Sequence, residues 1–122
     1  MTIKRMHHVQ ITVNWEDVAA AHQFYSDMLG LAEVAKPAAL ADRGGFWIAI
    51  GDQQLHIGVE SNVNRTATKA HIAYEVDDLQ YWRNKLEEIG LNILESVAIP
   101  GHNRFECRDP FGNRIEFIEV CS

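Results

Sequence analysis

The sequence predicts an α+β domain of two paired βαβββ modules, with the helices on the outside. Three observations carry this expectation. The same succession of segments runs twice along the chain. Each half contains one apolar stripe at helical spacing closed by a glycine. The remaining segments alternate apolar and polar residues with a period of two. A single domain over residues 1–122 follows, with a first module at about 1–60, a linker at about 61–69 and a second module at about 70–122.

The first half opens with His8-Val9-Gln10-Ile11-Thr12-Val13 and the second with His71-Ile72-Ala73-Tyr74-Glu75-Val76. A helical stretch follows each. In the first, Val18, Ala21, Tyr25, Met28 and Leu29 recur at three- and four-residue steps. Glu16 and Asp17 stand at its start, where acidic groups suit the helix dipole, and Gly30 is placed as its stop. In the second, Leu79, Trp82, Leu86 and Ile89 form the stripe, with Asp77 or Asp78 as N-cap and Gly90 as stop. Each half ends on a strand, Leu55-His56-Ile57-Gly58-Val59 and Ile115-Glu116-Phe117-Ile118.

Alternation assigns faces. Val9, Ile11 and Val13 point one way, and His8, Gln10 and Thr12 the other. By the same parity His56, His71 and Glu116 fall on the face their helix does not cover. His8 precedes His56 by 48 positions and His71 precedes Glu116 by 45, as two copies of one module would give. One His on a strand is more often a hydrogen-bonded or solvated residue than a ligand, and an exposed sheet face also collects polar groups. Four donors at equivalent places in two repeats point to a metal site. Three imidazoles and a carboxylate suit a divalent ion of the nickel, cobalt, zinc, manganese or iron kind. Glu116 is also the expected proton-transferring group, since a carboxylate leaving the metal is a base. His7 has the wrong parity, His22 lies on a helix and His102 follows the Pro100-Gly101 turn, so these three are read as incidental.

Composition narrows the partners. With 47% apolar and 23% charged residues the chain reads as ordered throughout. A net charge of −6 argues against nucleic acid or an anionic membrane, and no run approaches the roughly 18 apolar residues of a membrane span. Two cysteines, Cys107 and Cys121, make no disulfide framework, and no signal peptide is legible, so a cytoplasmic location is expected. In the 36–45 connection Lys36 and Arg43 could attract an anion, although two solvated loop charges explain them equally well. Trp47 and Arg104 are further candidates for contact with a small-molecule substrate, against core packing for Trp47.

The segments Phe24-Tyr25-Ser26-Asp27-Met28-Leu29-Gly30-Leu31 and Arg108-Asp109-Pro110-Phe111-Gly112-Asn113-Arg114-Ile115-Glu116-Phe117, with the opening His8 strand, resemble the vicinal oxygen chelate superfamily over nearly the whole chain. The second segment is the more specific, an Asp-Pro-x-Gly-Asn turn feeding a ligand-bearing strand. Pro110 and Gly112 suit a tight turn, and Asn113 tolerates unusual backbone angles. The resemblance implies modules paired around a U-shaped cleft of mixed sheet, with His8, His56, His71 and Glu116 at the ligand positions. It also implies a homodimer, with the site formed within one chain or across two. Members include glyoxalases, epimerases, extradiol dioxygenases, fosfomycin-modifying transferases and metal-free bleomycin-binding proteins. His56 departs from the Glu usual in glyoxalase I and the Gln usual in the epimerase. A fourth ligand departs from the His/His/Glu set of the dioxygenases and fosfomycin-modifying enzymes, and only six residues follow Glu116. The expected activity is metal-dependent lyase or isomerase chemistry of the glyoxalase type. The alternatives are an iron-dependent extradiol-type dioxygenase and a metal-free drug-binding protein.

Overall fold

The structure, a computed structural model, describes residues 1–121. The chain divides into two compact units, Met1–Val63 and Asn64–Ser122, each holding one four-stranded sheet. In the first unit β1 (His8–Val13) leads into a helical segment, then β2 (Glu33–Val34), β3 (Phe46–Ile50) and β4 (Gln53–Val59). In the second, β5 (His71–Glu75) is followed by helix α2 (Leu79–Glu88), β6 (Leu94–Glu95), β7 (His102–Arg108) and β8 (Arg114–Val120). The sheet orders are β1-β4-β3-β2 and β5-β8-β7-β6, with the first pair of each parallel and the others antiparallel. The α+β architecture with a βαβββ order in each half is therefore present.

The first helix departs from its expected winding. After a 3-10 turn at Trp15–Asp17, α1 (Val18–Ala21) gives way to a π-helical stretch, His22–Met28. The Leu29 amide reaches back five residues to the Phe24 carbonyl at 2.9 Å. The wider turn takes in one more residue. Phe24, three residues after Ala21, joins Ala21, Tyr25 and Leu29 among the buried residues, while Met28 stays half-buried. Gly30 ends the segment at φ 73°, as its position predicts. For α2, Asp78 is the N-cap, its Oδ1 accepting the Tyr81 amide at 3.1 Å, and Gly90 follows at φ 91°.

Each core is the apolar face of its sheet closed by the helix stripe. Val13, Phe46, Ile48, Leu55 and Ile57 are buried in the first unit. In the second, Phe117 meets the rings of Phe105, Trp82 and Tyr74 at centroid distances of 5.4, 5.6 and 5.8 Å, and Leu86 is fully buried.

The turn before β8 is built around the Asp109 carboxylate, which accepts from the amides of Phe111 (3.0 Å) and Asn113 (2.8 Å) and from the Asn113 side chain (3.1 Å). The left-handed backbone falls on Gly112 at φ 100°, not on Asn113, whose part is to hydrogen-bond. Arg108 then ties the 65–68 segment to this turn, donating to the carbonyls of Arg65, Thr68 and Gly112. The starts of β5 and β8, which lie side by side in the parallel pair, are thereby tied together.

Two expectations about stability follow. At Gly45 (φ 79°) an added Cβ would lie 2.0 Å from the Ile57 carbonyl oxygen, whereas at Gly30 it would meet open space. Gly45→Ala should cost about 2 kcal/mol or more and Gly30→Ala only about 1, read as denaturant midpoints. The Glu33 carboxylate accepts from Ser26 (2.7 Å) and pairs with His22 (2.6 Å). Burial alone would raise its pKa, but these hydrogen bonds and the His22 charge outweigh it and hold it below the ordinary 4.5. That stability is present above pH 4.5 and is lost as pH falls through the folded value. The pair is about 40% exposed, so Glu33→Gln should cost at most about 1 kcal/mol at neutral pH. The melting-temperature difference should close in acid.

Candidate functional site

The register of the parallel strands places the four expected donors. His8 pairs with Gln54, two residues before His56, and His71 pairs with Arg114, two residues before Glu116. The two units thus hold an edge-strand imidazole and a central-strand donor in the same diagonal relation. The edge residues His8 and His71 are exposed, while His56 and Glu116 are 6% and 5% exposed.

In the first unit the donors form a column of rings. His8 lies over His56 with centroids 4.2 Å apart and planes 14° from parallel, and His56 lies over Trp47 at 3.9 Å and 4°. Trp47 stands opposite His56 in the β3–β4 ladder, so cross-strand pairing creates the stack. The His56 Nε2 is 2.9 Å from the Gln54 Oε1, and the His7 and His8 Nδ1 atoms are 3.0 Å apart. His7, read as incidental from its parity, is therefore a neighbour of His8. Burial, then the charges of His8, His7 and Lys36, hold the His56 pKa below its ordinary value. The neutral imidazole is thereby favoured. The column faces a cavity of about 480 Å³, also lined by Lys36, Leu40 and Arg43. Arg43 and Trp47 are thus brought to one cavity.

In the second unit the His71 Nε2 lies 2.9 Å from the Glu116 Oε1. The His71 Nδ1 is 2.9 Å from the Lys69 carbonyl oxygen, which can only accept, so Nδ1 carries the hydrogen. In the neutral ring Nε2 is then a lone pair facing a carboxylate oxygen. With a second proton on the ring the contact is a hydrogen-bonded ion pair, and without it both atoms present lone pairs that a metal beside them could take. Donor atoms of His71, Glu106 and Glu116 all lie within 4.8 Å of one another. This chemistry fits a divalent metal, with the bond from Nδ1 to a backbone carbonyl orienting the ring as such ligands require.

Glu106 was not among the donors expected from the sequence. It stands directly opposite Glu116 in the β7–β8 ladder and is 7% exposed. Two carboxylates opposed on buried strands repel, and two arginines compensate. Arg104 lies 3.3 Å from the Glu106 Oε1 and 3.4 Å from the Glu116 Oε2, and Arg114 grips the Glu106 Oε2. Burial alone would raise the Glu106 pKa, but the hydrogen bond and charge of Arg114, with the charge of His71, keep it below 4.5. Its parity on β7, with Arg104 and Arg108, was the available signal. Arg104, expected at a substrate, also donates twice to the Val97 carbonyl, so its charge is taken up by the chain's own acceptors.

The remaining polar residues fall outside both clusters. The His22 ring stacks on Phe46 at 3.7 Å, and the His102 Nδ1 lies 3.0 Å from the Pro100 carbonyl oxygen. Burial and the Asp109 charge push the Cys107 thiol up to about 12, which makes it unreactive at neutral pH.

Comparison with known proteins bears on the family and the fold. The family model of the Glyoxalase/Bleomycin resistance protein/Dioxygenase superfamily matches residues 5–117. Metallothiol transferase FosB of Staphylococcus haemolyticus is 31% identical over 100 residues, covering 76% of this chain. The match takes in 66% of that relative, just under two thirds of its length. Its counterpart in Staphylococcus epidermidis is 30% identical over the same coverage. Among solved structures, a Bacillus anthracis protein described as of the glyoxalase family superposes with a TM-score of 0.88 at 38% identity, covering 98% of each chain. Lactoylglutathione lyase from Agrobacterium tumefaciens has the same fold, with a TM-score of 0.72 at 21% identity over 98% of this chain and 96% of its own. With the family match spanning nearly its whole length, the chain belongs to the glyoxalase/bleomycin resistance protein/dioxygenase superfamily.

Proposed function

We propose that the chain is a metal-dependent enzyme acting on a small molecule that offers two neighbouring oxygens, with glyoxalase-type lyase or isomerase chemistry. The observation that carries this reading is the convergence of His71 Nε2 and Glu116 Oε1, 2.9 Å apart, with a Glu106 oxygen within 4.8 Å of a donor atom of each. His71 and Glu116 would hold the metal, and His8 and His56 remain in the proposed donor set. A bound divalent ion would supply Lewis-acid polarisation of a substrate oxygen. Glu116 would take a proton from one carbon and return it to its neighbour. Arg104 would steady Glu116 through this exchange by opposing the charge of Glu106. Glu106 stays on its two arginines and is a positioning residue.

Thiol transfer is the second reading, favoured by the match to the metallothiol transferases. It would use the same donor set and differ in the electrophile. A homodimer is the proposed assembly under both readings. Among the described residues no helix is long and apolar enough to cross a membrane.

Elemental mass spectrometry of protein purified without a polyhistidine tag or added metal tests the proposal. His71→Ala and Glu116→Ala should each lower metal occupancy by about tenfold or more, since loss of a ligand costs at least as much as loss of its outer partner. His22→Ala should leave it unchanged. Equal occupancy in the three variants would refute the metal site. Nickel, cobalt, zinc or manganese supports the lyase or isomerase reading, and iron would move it to an extradiol-type dioxygenase. A protein that takes up no metal would be a binding module. Thioester formation from hemithioacetals, against thiol loss in the presence of epoxides, separates the first two readings.

A further inference from the structure

We propose that the cavity of the first unit is a site for a small organic anion, held by Lys36 and Arg43 with its apolar body against Trp47. The chain carries 17 acidic and 11 basic residues, so carboxylate partners are plentiful. Most of its cations have found partners. Arg5 pairs with Asp52, Arg83 with Glu95, and Arg104 and Arg114 with Glu106. Arg108 is bonded to carbonyls, and Lys85 lies over the rings of Tyr81 and Trp82. Among the described residues neither Lys36 nor Arg43 has a carboxylate within 4.0 Å, and both line the same cavity.

No Asp or Glu lines that cavity. Its walls carry positive charge with nothing to neutralise it in a chain that is acidic overall, and charges of one sign in a concave surface focus the field on a ligand of the other. The Lys36 ammonium is also held in place. It donates to the Gly44 carbonyl at 2.5 Å and keeps two hydrogens free. Gly44 in turn is fixed at φ 73° against the Trp15 ring, where a Cβ would lie 2.6 Å from the indole. A cation fixed before binding loses less freedom when the ligand arrives. Trp47, Leu40 and Val59 supply apolar wall beside the polar His8, Gln10 and His56, and about 480 Å³ suits a molecule of metabolite size.

The ligand class is therefore a carboxylate, phosphonate or phosphate on a compact apolar body. The inference stands on this cavity alone and does not need the proposed metal site, so the two fail separately. The test titrates the wild type with benzoate, phenylphosphonate and neutral benzamide, with and without a chelator, while metal content is measured independently. Each anion should bind about tenfold or more tightly than benzamide, as charge-assisted contacts imply. The preference should weaken with added salt and survive chelation. In Lys36→Met/Arg43→Gln it should fall below about threefold, with metal content unchanged, while Lys85→Met keeps it in full. Equal binding of benzoate and benzamide by the wild type, a requirement that needs no variant, would overturn the inference. So would an undiminished preference in the double variant, or anion binding that vanishes with the chelator. An anion preference in protein that takes up no metal would refute the metal reading and leave this one standing.

Discussion

The arrangement of donors depends on the register in which the first strand of each unit pairs with the last. In a parallel ladder successive side chains alternate faces, so a slip of one residue would turn every imidazole and carboxylate into the core. The register is held from the apolar side. Leu55 and Ile57 in the first unit, and Ile115 and Phe117 in the second, are all at most 2% exposed. Ile57 pairs with Ile11, and Phe117 with Tyr74. A one-residue slip would expose these side chains and bury polar ones, at a cost of several kcal/mol. The position of the donors is thus a consequence of hydrophobic packing on the opposite face.

Electrostatics adds a second constraint in the second unit. Glu106 and Glu116 face each other across β7 and β8, a pairing that would be unfavourable without Arg104 and Arg114 beside them. Arg104 touches both carboxylates, and Arg114 only Glu106. Glu106 is therefore the more fully neutralised, and the Glu116 Oε1 is left to His71. The Asp109 turn and the Arg108 fork hold the two chain ends that carry Glu116 and His71. Backbone order beneath the cluster is what makes a donor set of mixed charge tenable on one sheet face.

The first unit solves the corresponding problem with rings. His8, His56 and Trp47 stack where the second unit has an ion-pair network. The glycines beside the stack permit the close approach. Gly58 lies under the Gln10 amide, where a Cβ would come within 2.8 Å, and Gly45 lies against the Ile57 carbonyl. The result is a flat aromatic wall and an open cavity, with cations contributed by the 36–43 segment. Two copies of one topology thus present different surfaces, an aromatic stack in one and an ion-pair network in the other.

Much of this was legible in the chain alone. Period-two alternation gave the parity of His8, His56, His71 and Glu116, and the glycine stops and Asp78 cap bounded the helices, because these are local properties of residue type and spacing. The repeat gave the module order, and the resemblance of the 24–31 and 108–117 segments pointed to the superfamily. The π-helical winding at His22–Met28 was not legible, since the three- and four-residue spacing of its apolar residues is that of an ordinary α-helix. Nor was the pairing of Glu106 with Glu116, which is fixed by the antiparallel register of β7 and β8 and not by any spacing along the chain. The partners of Arg104 and the stacking of Trp47 on His56 were decided likewise by strands brought together. Sequence determined which face each donor occupies. Tertiary structure decided which side chains meet there, because contact between residues far apart in the chain is set by the core they share.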